Sequence, residues 1–260
     1  MALGLAALLS VCAAPAQAAT SPWRDFFTAP PAYSWNGAYA GLQLGRSVLD
    51  SPGGQESAFQ TPAGAYQSVF PTIPMGTGDD DANISGGVTV GYNRQYGRIV
   101  YGLEGTGGSA ANQTNQGCDA FGSAAFLPGT VADCSTELRY FATMDARVGY
   151  AFGRLLPYVK GGGAWGDFHH DVSGTLATGA AAPQSSFNEN RWGYNVAGGL
   201  EYRVAAGWSV KFEYDYMDFG TRTLAYSFVN TPPFIAGTFT AYATDTERVT
   251  TLRLGVDYHF

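Results

Sequence analysis

The final ten residues, Thr251-Leu-Arg-Leu-Gly-Val-Asp-Tyr-His-Phe260, alternate without a break. In an extended strand successive side chains point to opposite faces. Leu252, Leu254, Val256, Tyr258 and Phe260 therefore share one side. Thr251, Arg253, Gly255, Asp257 and His259 share the other. One apolar face and one polar face, with an aromatic at the end of the apolar stripe, fit a strand with lipid outside and a polar lumen inside.

Composition agrees with that reading. The chain has 260 residues, enough for one barrel domain, with 16 Tyr, 16 Phe and 35 Gly against only 13% charged residues. Aromatics suit the two interfacial girdles of a membrane barrel, and glycines suit a curved lumen with little room for side chains. A net charge of −7 argues against a nucleic-acid partner, which selects a basic face. The mean hydropathy of −0.08 does not argue against a membrane, because only alternate residues of a barrel strand face lipid.

Residues 1–18 read as a signal peptide. Ala2 to Ala14 is apolar and small, and Ala16-Gln17-Ala18 supplies small residues at −3 and −1 of a cleavage site. The run is too short to span a bilayer as a helix. No Lys or Arg precedes it, so the start lies too far downstream or the signal is atypical. Leu9-Ser10-Val11-Cys12 is the competing lipoprotein-type reading, and Val before Cys fits it poorly. Residues 19–34, with Pro22, Pro30 and Pro31, read as a periplasmic linker, and residues 35–260 as the barrel.

Period-two alternation predicts eight strands: Asn36–Arg46, Ala82–Asn93, Arg98–Thr106, Glu137–Ala151, Leu156–Asp167, Trp192–Val204, Trp208–Asp218 and Val249–Phe260. Trp208, Val210, Phe212, Tyr214 and Tyr216 form the cleanest apolar stripe. These lengths match the roughly 9–11 residues a tilted membrane strand needs. Connections alternate in length. Arg94–Gly97, Phe152–Leu155 and Ala205–Gly207 are short, whereas Ser47–Asp81, Gly107–Thr136, Phe168–Arg191 and Phe219–Arg248 are long. Short periplasmic turns and long external loops are the pattern of an outer-membrane barrel, and an even strand number puts both termini in the periplasm. A lipocalin-like soluble barrel would face its apolar residues inward and would not sort its loops by length. The fold class is all-β, an eight-stranded antiparallel transmembrane β-barrel.

Several stretches are similar to a known group. Trp35-Asn-Gly-Ala-Tyr-Ala-Gly-Leu-Gln-Leu-Gly45, Gly86-Gly-Val-Thr-Val-Gly-Tyr-Asn93 and Tyr101-Gly-Leu-Glu-Gly105 resemble the first three strands of the small porin-family surface antigens of alpha-proteobacteria. Arg147 to Gly162, Gly198-Gly-Leu-Glu-Tyr202 and Trp208-Ser-Val-Lys-Phe-Glu-Tyr214 resemble their later strands and turns. The resemblance covers strands and turns but not loops, and the ordered set carries it rather than any one motif. It implies an OmpA-like, abundant, envelope-stabilising barrel of the Gram-negative cell envelope. Some relatives are said to bind haemin or to form small pores, with no residue motif to carry over. Val256, Tyr258 and Phe260 resemble the signal by which the barrel-assembly machinery recognises its substrates. Two features depart from the pattern: Asp145 stands where many relatives have a basic residue, and the loops, with Asp79-Asp80-Asp81 and a cysteine pair, look individual. No peptidoglycan-binding domain is expected after the last strand.

Few residues suggest chemistry. Cys118 and Cys134 share the second long loop, and two cysteines in an exported chain usually pair; two free thiols are the alternative. His169 and His170 are neighbours at the outer mouth of the fifth strand. Adjacent residues of a strand point to opposite faces, so they cannot chelate together as a helical i, i+4 pair does. They read as solvated loop residues, with a haemin or metal contact by one of them as the functional alternative. Ser185, Ser186 and Glu189 have no spacing that recommends a catalytic set. The chain is therefore expected to be no enzyme, to use no catalytic or metal residues, and to need no cofactor beyond possible haemin.

Parity points Glu104, Asp145, Arg147, Lys160, Glu201, Arg203, Lys211, Glu213, Asp215, Arg253 and Asp257 inward. An eight-stranded interior is only wide enough for side chains to fill. Buried charges must pair or stay wet. A salt-bridged plug is one reading and a narrow gated ion path is the other. Glu104 and Glu213 are the candidate partners of Lys160. The expected function is a non-catalytic outer-membrane protein that contributes to envelope integrity and surface properties, in contact with lipid and lipopolysaccharide. The alternatives are a small pore or haemin-uptake component, and a loop-mediated adhesin or recognition protein. Sequence leaves the oligomeric state open.

Overall fold

A computed structural model describes residues 33–50, 58–60, 66–68, 83–117, 131–182, 184–230 and 237–260. Eight long strands form the wall: β1 (Gly37–Asp50), β4 (Asn83–Tyr96), β5 (Ile99–Gly117), β6 (Val131–Tyr150), β7 (Leu155–Thr175), β8 (Ser185–Ala205), β9 (Trp208–Asn230) and β10 (Gly237–His259). A short hairpin, β2 (Ala58–Gln60) and β3 (Tyr66–Ser68), joins β10 through Thr240 opposite Gln60. The long strands pair antiparallel in chain order, and β1 closes the ring on β10 from Tyr39 opposite His259 to Asp50 opposite Arg248. Closure pairs each of the eight wall strands on both sides along the ring, the condition for backbone to cross lipid. The Phe260 amide donates to the Ala38 carbonyl at 3.0 Å and extends that seam by one residue.

Alternation decides which face meets lipid. Leu42, Leu44, Val88, Val90, Leu103, Val196, Leu200, Val210, Phe212, Leu254 and Val256 all point outward and are exposed. Aromatics flank this band. Tyr92, Tyr96, Tyr101, Tyr202, Trp208, Tyr258 and Phe260 ring the end that carries the tight turns; Tyr140, Trp192 and Tyr194 mark the other. The tight turns are where left-handed backbone is needed, and glycine supplies it at Gly97 (φ 60°), Gly153 (φ 62°) and Gly207 (φ 76°).

The strands run well past their expected ends. Phe168–Arg191, read from sequence as a loop, is mostly the outer halves of β7 and β8, and much of Gly107–Thr136 and Phe219–Arg248 is also strand. Two features hid this. The β6 register shifts at Arg139, between Leu138 and Tyr140. The β9–β10 register shifts where Phe219 and Gly220 face Glu247, with Gly220 at φ 73°. Each irregularity flips the inward parity, as a bulge does. On β9, inward residues change from Met217 and Phe219 to Leu224 and Tyr226. Residues 1–32, Cys118 and Asp79–Asp81 lie outside the described residues.

Candidate functional site

The lumen is filled in layers. At the turn end, Trp35, Val100, Ala151 and Leu156 form a buried apolar floor. The Trp35 amide donates to Gln95 Oε1 at 2.7 Å, which holds the start of the barrel across its own opening.

A charge lattice lies above the floor. Glu104 on β5 is its centre. It accepts from the Tyr39 hydroxyl at 2.7 Å and from Lys160 Nζ at 2.6 Å, with Arg147 Nη1 at 3.4 Å and Lys211 Nζ at 3.7 Å. Lys160 also reaches Glu213 at 3.0 Å and Asp145 at 3.8 Å, so both carboxylates named for it from sequence are its partners. Arg147 donates to Glu201, and its guanidinium lies 3.7 Å from the centre of the Tyr158 ring. Tyr158 donates to Glu213 at 2.7 Å. Arg253 meets Asp215 at 2.9 Å, and Lys211 meets Asp257 at 3.3 Å. Asp145 accepts from Thr143 and Asn195. The ion pairs connect six strands, β5 to β10, which answers the demand that buried charge be matched.

Glycines make the lattice possible. A Cβ on Gly91 would sit 2.3 Å from the Tyr39 ring, and one on Gly199 would sit 2.7 Å from the Tyr158 ring. Each glycine clears the space into which a tyrosine leans to reach its carboxylate.

One residue of the expected lumen set is placed differently. Arg203 is only half-buried and makes no ion pair within 4 Å among the described residues; its guanidinium stacks over the Trp35 ring at 4.8 Å. It lies one step below the lattice, level with the apolar floor. His259 takes the position by Glu201 instead. Its Nε2 lies 2.8 Å from Glu201 Oε1, while Ser209 donates to the same oxygen at 2.6 Å. A carboxylate only accepts, so Nε2 carries the proton.

A second apolar layer closes the lumen above the lattice. Leu49, Ala110, Leu138, Phe141, Ala164, Phe168, Met217, Phe219 and Val249 form one buried cluster drawn from six strands. Phe168 and Phe219 meet edge to face at 5.1 Å. Arg253 lies 4.8 Å below the Phe141 ring and so joins the two layers.

Above that apolar layer the lumen is polar again. His170 is wholly buried, against the sequence expectation of a solvated loop residue, because its strand continues and its parity points inward. Around it stand Thr136, Glu189, Arg191, Tyr226, Asp245 and Glu247. Glu189 accepts from Arg191 Nε at 2.9 Å and from Arg222 at 3.2 Å. Burial raises the Glu189 carboxyl, but the neighbouring His170 imidazole and the Arg191 charge outweigh it and hold the group at about 2. The Tyr226 hydroxyl is pushed above its usual range by burial, reinforced by Asp245 and Glu247. Sequence reasoning missed Arg191, Asp245 and Glu247 because it had placed them in loops. Cys134 borders this layer and is disulfide-bonded.

His169 faces the other way. Its Nδ1 lies 2.7 Å from Asn188 Oδ1 and its Nε2 lies 3.5 Å from Ser186 Oγ, all exposed. The three form a cross-strand polar ladder on the outer surface of β7 and β8, where water competes for every contact.

Comparison with known proteins points the same way. A family model described as an outer membrane protein beta-barrel domain matches residues 4–260. The 31 kDa outer-membrane immunogenic protein of Brucella melitensis is 31% identical over 196 residues, 74% of each chain. The 25 kDa outer-membrane immunogenic protein of Brucella abortus is 26% identical over 231 residues, 88% of this chain and 81% of that one. Among solved structures, the outer membrane protein OprG from Pseudomonas aeruginosa superposes with a TM-score of 0.51 at 15% identity, covering 86% of this chain and 98% of that one. At that identity the likeness is one of fold.

Proposed function

The chain belongs to the outer membrane protein beta-barrel domain family and resides in the bacterial outer membrane; from that premise we propose that it is a closed, non-catalytic wall element. It contributes to envelope integrity and presents its external extensions as surface antigen. One observation carries this reading: charge lattice and apolar layers stack along the whole described lumen. The lumen's acids and bases are engaged with one another rather than presented to a solute. The relatives' description as immunogenic outer-membrane proteins supports the surface role.

The test is genetic. Deleting the gene should raise sensitivity to detergent and leak periplasmic enzyme. A variant with the lattice intact but the β7–β8 tip shortened should restore both. Unchanged barrier function in the deletion strain would contradict an envelope role. Rescue that depended on the β7–β8 tip would favour the recognition reading.

A further inference from the structure

We propose that the external end of the lumen binds a divalent transition-metal ion of the zinc class, held by His170, Asp245 and Glu247. The donor atoms of these residues all lie within 4.8 Å of one another, and all three residues are buried. A tetrahedral ion with bonds of about 2.0–2.2 Å sets its ligand atoms roughly 3.4 Å apart, so side-chain rotation has little more than an ångström to supply.

The imidazole is prepared for this role. Its Nδ1 lies 3.1 Å from Thr136 Oγ1, an oxygen able to accept the proton that a ligating histidine carries on its outer nitrogen. With the Nδ1 proton directed to that oxygen, the Nε2 lone pair is left for a metal. Nε2 is fully buried and lacks a hydrogen bond; the Glu189 carboxylate stands off at 3.7 Å. Stacking on Phe187 at 5.1 Å and on Phe168 at 6.5 Å sets the ring plane. Glu189 is held by Arg191 and Arg222, and the carboxylates grouped with the imidazole are those of Asp245 and Glu247, the two anionic ligands.

Charge and donor type select the ion. Two carboxylates and a neutral imidazole balance a divalent cation, as a buried site requires. An imidazole with only two carboxylates suits zinc-class ions; calcium asks for six to eight oxygens. Three protein ligands leave a fourth position for water.

Location gives the ion a task. The described β1–β10 ladder ends at Asp50 opposite Arg248, and Glu247 and Asp245 are the next inward residues of β10. An ion there ties β10 to β7 across the mouth, just where β10 leaves its ladder with β1 and where the bulge at Gly220 interrupts its register with β9.

The experiment uses untagged mature barrel, refolded in detergent, stripped with chelator and titrated with Zn2+ alone. One Zn2+ should bind per barrel. His170→Ala and Glu247→Gln should each weaken binding by at least the roughly 10–100-fold that even outer-shell partners are worth, and His169→Ala should not change it. No stoichiometric Zn2+ in the wild type, or undiminished affinity in His170→Ala, overturns the proposal. Should the variants fail to refold, the His169→Ala barrel loaded with Cu2+ decides the matter. Spin-echo modulation from a coordinated imidazole supports the site, and its absence overturns it.

Discussion

Lys160 on β7 and Glu104 on β5 meet across the lumen, Nζ to Oε1 at 2.6 Å, with neither side chain exposed. The same ammonium lies 3.0 Å from Glu213, so one cation holds two carboxylates from opposite walls. Lys160→Ala should therefore destabilise the barrel by about 3–5 kcal/mol, because it leaves buried acids without their shared partner. Adding Glu104→Gln or Glu213→Gln should recover part of the loss. Equilibrium unfolding in urea, followed by the heat-modifiable gel shift, measures both. Purely additive losses would count against the shared pairing.

The two faces of the wall should respond oppositely to charge. Phe212→Arg and Val210→Arg place a cation on the lipid face and should each cost about 2–4 kcal/mol near the midplane. Gln43→Asn, inside the lumen beside Thr89, keeps an amide there and should cost far less. Equal penalties in vesicle refolding titrations would mean that the faces are assigned the wrong way round.

Cys134 is disulfide-bonded, and Cys118 is its expected partner. Peptide mapping without reduction should recover the Cys118–Cys134 link. Closing that loop is worth nominally about 3 kcal/mol. Two alkylatable thiols in freshly isolated membranes would exclude the bridge.

Phe260 is 78% exposed on the lipid side, lies edge to face on Tyr258 at 5.2 Å, and donates its amide across the β1–β10 seam. Phe260→Glu should leave export intact and lower the yield of folded barrel, since it places a charge in the aromatic girdle of the closing strand. Pulse-chase with protease protection reads this directly. Normal accumulation of protease-resistant barrel would count against a role for Phe260 in assembly.

Strand number, facing and the order of turns were legible in the sequence because lipid enforces strict alternation. The run from Trp208 to Tyr216 and the run from Leu252 to Phe260 show this: every second residue meets hydrocarbon, so the pattern cannot lapse. Most of the lattice was legible for the same reason. Beyond the bilayer that pressure ends. Bulges at Arg139 and Gly220 shift parity, polar residues appear on both faces, and the strands read as loops. Hence Phe168, His170, Glu189 and Arg191 were hidden although they line the lumen. Arg203 was misplaced on a different ground: parity gives a direction but not a height, and only the structure sets it level with Trp35.

The proposed function requires that the lumen be shut to ions. Single-channel recording of the native refolded barrel in a planar bilayer tests it most directly. A lumen whose charges are paired across it and which is crossed by the Leu138–Phe141–Phe168–Phe219 layer should pass no steady current. Phe168→Ala combined with Lys160→Ala should open measurable, intermittent conductance. Large, steady unitary currents from the unmodified protein would contradict the closed lumen and establish a pore.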